Sequence, residues 1–168
     1  MLRNATLSDL ALVATWVGSA YECELWAGPR VRFPIEVQAL PGQIDFSETH
    51  TFALVEQGEV VAFGQLIAKC CGRGHLARLI VAPAFRGRGY GESLVRALLE
   101  RARERALEKA SLNVNEANAR AIALYEKLGF RDASCPFDEP PSPGVRYLER
   151  LLAGEPEIFA ARPAARHS

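Results

Sequence analysis

No run in this chain approaches the ~18 to 20 consecutive apolar residues that a membrane-spanning helix needs, and neither sign of charge is in excess, because twenty basic residues cancel twenty acidic ones. The first absence excludes a spanning helix. The second removes any compositional reason to expect nucleic acid or an anionic membrane as a partner. Cysteine is scarce: Cys23, Cys70, Cys71 and Cys135 show no Cys-x-x-Cys spacing, so neither a disulfide framework nor a metal centre is expected. Adjacent Cys70 and Cys71 fall inside an apolar strand pattern, and the thiols read as small buried hydrophobes in a reducing compartment. Internal repeats and low-complexity segments are also lacking. Polar residues interrupt the start Met1-Leu2-Arg3-Asn4 at once, which does not suit a signal peptide, so a soluble cytoplasmic protein is expected. At 168 residues the length suits a single domain able to bury about 70% of its unfolded surface.

What is present is a regular alternation of strand and helix patterns. Leu2 to Ala5 reads as a short strand, and Thr6-Leu7-Ser8-Asp9 opens a helix running to about Gly18. Pro29, Pro34 and Pro41 break residues 19–50 into a short helix, a loop and another short helix. Two β-branched runs, 51–56 and 59–70, flank Gln57-Gly58 as a hairpin, and a third strand follows over 75–82. Leu94, Val95, Leu98, Leu99 and Ala102 form the apolar stripe of a long helix. A strand over 110–115, a helix from an Asn118 cap to Gly129, and strands over 130–137 and 145–152 complete the chain. The order β-α-α-β-β-β-α-β-α-β-β predicts an α/β fold: one domain over 1–152, with a partly loose C-terminal tail over 153–168.

The densest signal is the stretch from Leu76 to Gly91, where a buried-strand pattern enters the turn Arg86-Gly87-Arg88-Gly89-Tyr90-Gly91 and then the long helix. Such a turn aims backbone N–H groups and the positive end of a helix dipole at one place, which suits a pyrophosphate. It is not a P-loop, because Gly91 is followed by Glu92-Ser93 rather than Lys-Ser/Thr. A dinucleotide fold suits it poorly, since the glycines come mid-chain after apparently antiparallel strands.

Arg86-x-x-Gly89-x-Gly91 after Val81-x-Pro83 resembles the acetyl-CoA loop of the GCN5-related N-acetyltransferases, and Asn118 to Phe130, with Tyr125 and a closing Leu128-Gly129-Phe130, resembles that family's downstream helix. The likeness is firm from about Val60 to Phe130 and nearest in motif to ribosomal-protein alanine N-acetyltransferases. It implies a single-domain, mixed and mostly antiparallel sheet with helices on both faces, and acetyl-CoA as cosubstrate without a metal. It also implies that the backbone of Arg86, Gly87, Arg88, Gly89, Tyr90 and Gly91 holds the cofactor's phosphates, with Arg86 and Arg88 side chains adding charge. Asn118 would cap its helix and meet the cofactor arm. A backbone N–H at Val81, or at neighbouring Leu79, would polarise the thioester carbonyl, and Tyr125 would be the general acid. The related subfamily has an acid where Asn113 stands here, and an amide cannot accept the proton. Glu116 falls on a surface loop, which leaves His75 as the candidate base.

The acceptor is expected between residues 20–46 and the loop 136–145, with Trp26, Arg30, Phe33 and Glu36 as candidates. Because no cysteine is placed as an evident nucleophile, the expected reaction is direct attack of a primary amine, of a small molecule or a peptide, on acetyl-CoA in a ternary complex. The alternative is a non-catalytic acyl-CoA-binding or regulatory module of the same fold. A homodimer is compatible with either; acetylation of a charged tRNA or ribosomal protein gains no support from the neutral charge.

Overall fold

The computed structural model describes residues 1–152. Its strands are β1 (Leu2–Asn4), β2 (Thr51–Glu56), β3 (Glu59–Lys69), β4 (Arg73–Val81), β5 (Lys109–Asn115), β6 (Arg131–Asp132) and β7 (Val145–Leu151). Its helices are α1 (Leu7–Ala14), α2 (Ala20–Ala27), α3 (Leu40–Gln43), α4 (Tyr90–Glu104) and α5 (Ala119–Lys127). The strands form one sheet in the order β1-β2-β3-β4-β5-β7-β6, antiparallel at every pairing except β4 with β5.

Strand alternation divides the apolar side chains between two cores. Leu66, Leu76, Leu112 and Leu148 pack with Leu94, Leu98 and Ala102 of α4, and α5 closes the same side through Ala121, Ile122, Leu124 and Tyr125. Ala53 and Phe63 point the other way, onto Leu10 and Val13 of α1, Trp26 of α2 and Leu40 of α3. The apolar stripe of α4 is buried as its spacing requires.

Parallel pairing of β4 with β5 runs from Arg73 with Lys109 to Leu76 with Leu112 and then stops, although β4 continues to Val81 and β5 to Asn115. Past that point the strands part. Within the same stretch β4 bulges against β3: Phe63 faces Ile80 and Gln65 faces Ala77, so Arg78 and Leu79 together oppose Gly64. Arg78 carries φ of 51° there, a left-handed conformation that costs a non-glycine residue energy and is held by its neighbours. Trp26 Nε1 donates to the Arg78 carbonyl at 2.9 Å, and Arg78 Nη1 donates to Gln65 Oε1 at 2.7 Å. Gln65 is fully buried, and its Nε2 donates to Ile44 O and Thr51 Oγ1, each at 3.2 Å. Gly64 makes room for the bulge, since a Cβ there would lie 2.6 Å from Leu79 Cδ2.

Several expectations need correcting. The expected order has two helices between the first two strands, where three stand, the third being the single turn α3 that begins at Leu40-Pro41. The helix expected to reach Gly18 ends at Ala14, where Thr15 turns back onto Leu12, yet Trp16 and Val17 stay buried beyond it. The strand expected over 130–137 is only Arg131–Asp132, because antiparallel pairing with β7 fades after Ala133 and Pro136 follows. Cys70 and Cys71 are exposed in the turn after β3, not buried, because the strand ends at Lys69; Cys23 alone of the four is buried. The tail from Ala153 lies outside the described residues.

Gly64→Ala is expected to push Leu79 out of place and destabilise the fold by roughly 1 to 3 kcal/mol. Urea unfolding checks this, with Gly42→Ala, an exposed position without positive φ where a Cβ would meet nothing within 4 Å, as the control for the loss of glycine alone.

Candidate active site

At the end of β4, Ala82 N–H donates to Val61 O at 2.9 Å, and a short turn over Pro83–Phe85 leads to the glycine loop. Gly87 and Gly89 have φ of 74° and 84°, so a side chain at either would be strained. Helices α1, α2 and α5 begin with side-chain caps from Thr6, Ser19 and Asn118, whereas α4 begins at left-handed Gly89 with none. Among the described residues nothing accepts from the N–H groups of Tyr90, Gly91 and Glu92, and the helix dipole adds positive potential at the same place. Glu92 would oppose an anion there, but Lys127 Nζ at 2.7 Å and Arg96 Nη2 at 2.9 Å neutralise it. The guanidinium of Arg120, from the first turn of α5, reaches within 3.7 Å of the position a Gly87 side chain would take.

The edge of β4 continues this row of donors. With Ala82 bonded to Val61 and Ile80 paired with Phe63, antiparallel alternation turns the amides of Ile80 and Ala82 toward β3 and those of Leu79 and Val81 away from it, into the gap left by β5. Arg86 Nε donates to the Val81 carbonyl from that side at 3.2 Å. Loop and edge share one cavity of about 560 Å³, bounded by β4, α2 and the first turns of α4 and α5.

Among the residues singled out from sequence, this cavity brings together Trp26, Leu79, Val81, Arg86, Gly87, Gly89, Tyr90, Gly91 and Asn118. Arg86 turns back to Val81 O and toward Glu22 rather than into the glycine loop, and Arg88 lies over the Phe85 ring, 5.5 Å from its centroid. Asn118 accepts from Ala121 N–H at 3.3 Å, which is its capping role. Tyr125 sits beside cavity-lining Leu124 with its ring against Phe130 at 6.1 Å, and burial pushes its hydroxyl up to about 12. No described residue hydrogen-bonds that hydroxyl.

His75 is held apart from this group. It faces Ser111 in the paired part of β4 and β5, where Nδ1 and Ser111 Oγ lie 2.9 Å apart, and Phe137 covers its ring edge-on at 5.9 Å. Burial, with Lys69 and Arg78 nearby, lowers it from 6.5 to about 4, leaving a neutral and weakly basic imidazole at pH 7. Asn113 and Glu116 are exposed. Arg30 pairs with Asp45 at 2.8 Å on the surface, and Phe33 and Glu36 are exposed; none of these three lines the cavity.

Sequence reasoning missed Arg120, Leu25, Glu22 and Phe85, which do line it. Arg120 had a local signal, being two residues after the cap of the helix that follows the loop. Leu25 and Glu22 had only their nearness to Trp26 on α2. Arg78 was also missed, although a charge interrupting the apolar run Leu76 to Val81 marks it.

Residues 18–130 match the acetyltransferase (GNAT) family. Aminoglycoside N(6')-acetyltransferase type 1 of Klebsiella pneumoniae is 28% identical over 170 aligned positions, spanning 92% of this chain and 84% of that protein. The crystal structure of ribosomal-protein-S18-alanine N-acetyltransferase from Escherichia coli has a TM-score of 0.65 at 23% identity, covering 95% of this chain and 97% of that one. Spermidine N-acetyltransferase from Vibrio cholerae, solved with CoA and spermine, has a TM-score of 0.69 at 21% identity, covering 90% and 95%. The structural likenesses establish a common fold. The chain belongs to the GNAT family and is an acetyl-CoA-dependent N-acetyltransferase.

Because His75 is lowered in the folded state, between about pH 4 and 6.5 the unfolded chain holds a proton that the native state lacks. Its contribution to stability is therefore full above pH 6.5 and lost as pH falls toward 4, up to roughly 3 kcal/mol. Denaturant unfolding from pH 7 to 4 should show a shallower decline for His75→Gln than for the wild type.

Proposed function

We propose that acetyl-CoA binds with its pyrophosphate on the free amides of Gly87 to Glu92, Arg120 beside them, and its pantetheine arm along the edge of β4. One observation carries this reading: an uncapped helix N-terminus and an unpaired strand edge, each with unsatisfied N–H donors, open into one cavity. Val81 lies nearer the loop and serves the arm, with Arg86 yielding the Val81 carbonyl. Leu79, deeper and next to the bulge, donates to the thioester carbonyl oxygen as negative charge develops there, an effect worth ~3 to 4 kcal/mol.

Tyr125 donates to the departing sulfur. A thiol of ordinary pKa near ~8.5 would leave that transfer uphill from a hydroxyl at about 12, but the same desolvation raises a thiolate in the same cleft. No cysteine lines the cavity, and burial raises the thiol of Cys23, which favours direct attack by the amine over an acyl-cysteine route. With the imidazole of His75 lowered to about 4, the acceptor loses its proton to solvent, so kcat/KM should rise with pH through the acceptor's own pKa. The non-catalytic reading is favoured only by the uncharged Asn113, and it predicts acetyl-CoA binding without thiol release for any amine.

Thiol-release kinetics test the assignment. Tyr125→Phe should lower kcat about 10²-fold or more with acetyl-CoA binding retained; an unchanged kcat and pH profile in a folded variant would remove Tyr125 from the mechanism. Arg120→Gln should raise KM for acetyl-CoA about tenfold with a smaller change in kcat, and the effect should shrink at high salt.

A further inference from the structure

Arg78 is a guanidinium without an acid. It lies at the bulge, one residue before the amide assigned to the thioester carbonyl, and its side chain shares the face of Gln65, opposite α4. Nη1 is anchored on Gln65 Oε1 at 2.7 Å, while Nε is buried with no hydrogen-bond partner. No described group bonds Nη2 either, and Nη2, unlike Nε, is not buried, so it is the donor an outside acceptor can reach. Burial works against the charge and lowers its pKa. A part-buried cation with an orphaned donor is costly unless something outside the fold completes it.

The surroundings carry the same sign. Arg30, Lys69 and Arg78 act on one another's neighbourhood with Asp45 as the one carboxylate among them, and that carboxylate is already bonded to Arg30 at 2.8 Å. Farther along the face, Arg73 and Lys109 share the single carboxylate of Glu149. Trp26, which lines the cavity, donates to the Arg78 carbonyl, and Leu79, the next residue, lines it too, so the Arg78 backbone flanks the cavity while its side chain lies outside the lining, on the face away from α4. An amine reaching the carbonyl held at Leu79 from the face away from α4 passes over Arg78.

We propose that Arg78 binds a carboxylate of the acceptor, so that the enzyme acetylates amino acids or similar amines bearing a carboxylate, and disfavours polycationic amines. This rests on the cofactor placement proposed above. Nη2 takes a carboxylate oxygen, Gln65 fixes the guanidinium plane, and the substrate's amine is left pointing toward Leu79.

Thiol release from acetyl-CoA should be measured with a panel of α- and ω-amino acids, each paired with its amide, and with spermidine. The carboxylate form should be preferred about ten- to hundredfold in kcat/KM, mostly through KM, with spermidine the poorest. Arg78→Gln should bring each pair close to parity, and Arg78→Lys should restore part of the preference; melting temperature and acetyl-CoA binding check that both variants fold. A separate arm needs neither turnover nor a variant: with CoA present, N-acetylated amino acids should raise the wild-type melting temperature more than their N-acetylated amides do. Parity between acid and amide in the wild type, or a preference that survives Arg78→Gln, overturns the proposal. If no amine releases thiol while the carboxylate-dependent stabilisation persists, the transferase reading fails and the Arg78 assignment stands.

Discussion

Four residue pairs join β4 to β5, and where the last of them, Leu76 with Leu112, gives out, the sheet keeps a row of backbone donors that no strand satisfies. Buried or half-buried amides left in this way cost stability unless a ligand takes them. The glycine loop and α4 begin at the end of the same strand, so their own unsatisfied amides continue the row. The cavity is thus a break in secondary structure rather than a gap in side-chain packing, and its polarity is that of the main chain.

The bulge at Arg78 sets the direction of that row. Two residues of β4 against one of β3 reset the alternation, so that Leu79 and Val81 present side chains to the α4 core while their amides face the gap. The positive φ of Arg78 is sustained from both sides of the residue: the Trp26 indole holds its carbonyl and Gln65 holds its guanidinium. Gln65 in turn reaches Ile44 and Thr51, so a buried amide with both ends satisfied joins the N-terminal helices to the strand that meets the substrate.

The donor half of the site was legible in the sequence because its parts are local. Glycine spacing after an apolar strand, the stripe on α4 and the Asn118 cap each follow from chemistry within a dozen residues, and the order of the strands and of α4 and α5 among them followed from periodicity. What escaped depended on distant partners. Arg120 meets the loop only when α5 packs beside α4, and Arg78 gains its meaning from Gln65, thirteen residues away across a strand pair. The 130–137 run has strand-like composition, but its length is decided by how far β7 remains alongside. His75 reads as a strand-end residue, while its environment is made by Ser111 and Phe137, contributed by a parallel neighbour and a proline-rich loop.

The sheet divides the two cores, one formed with α4 and α5 and the other with α1, α2 and α3, and Phe85 in the turn after β4 packs against both. That partition has an evolutionary consequence. Substitutions in α1, α3 and the loop around Phe137 can reshape one side of the sheet while the uncapped α4, the edge of β4 and the α2 residues beside it stay intact. Selection for a new acceptor then needs to conserve little beyond β4, the glycine loop and the parts of α2, α4 and α5 that close on it. Such a lineage can diversify what it modifies far faster than the group it transfers.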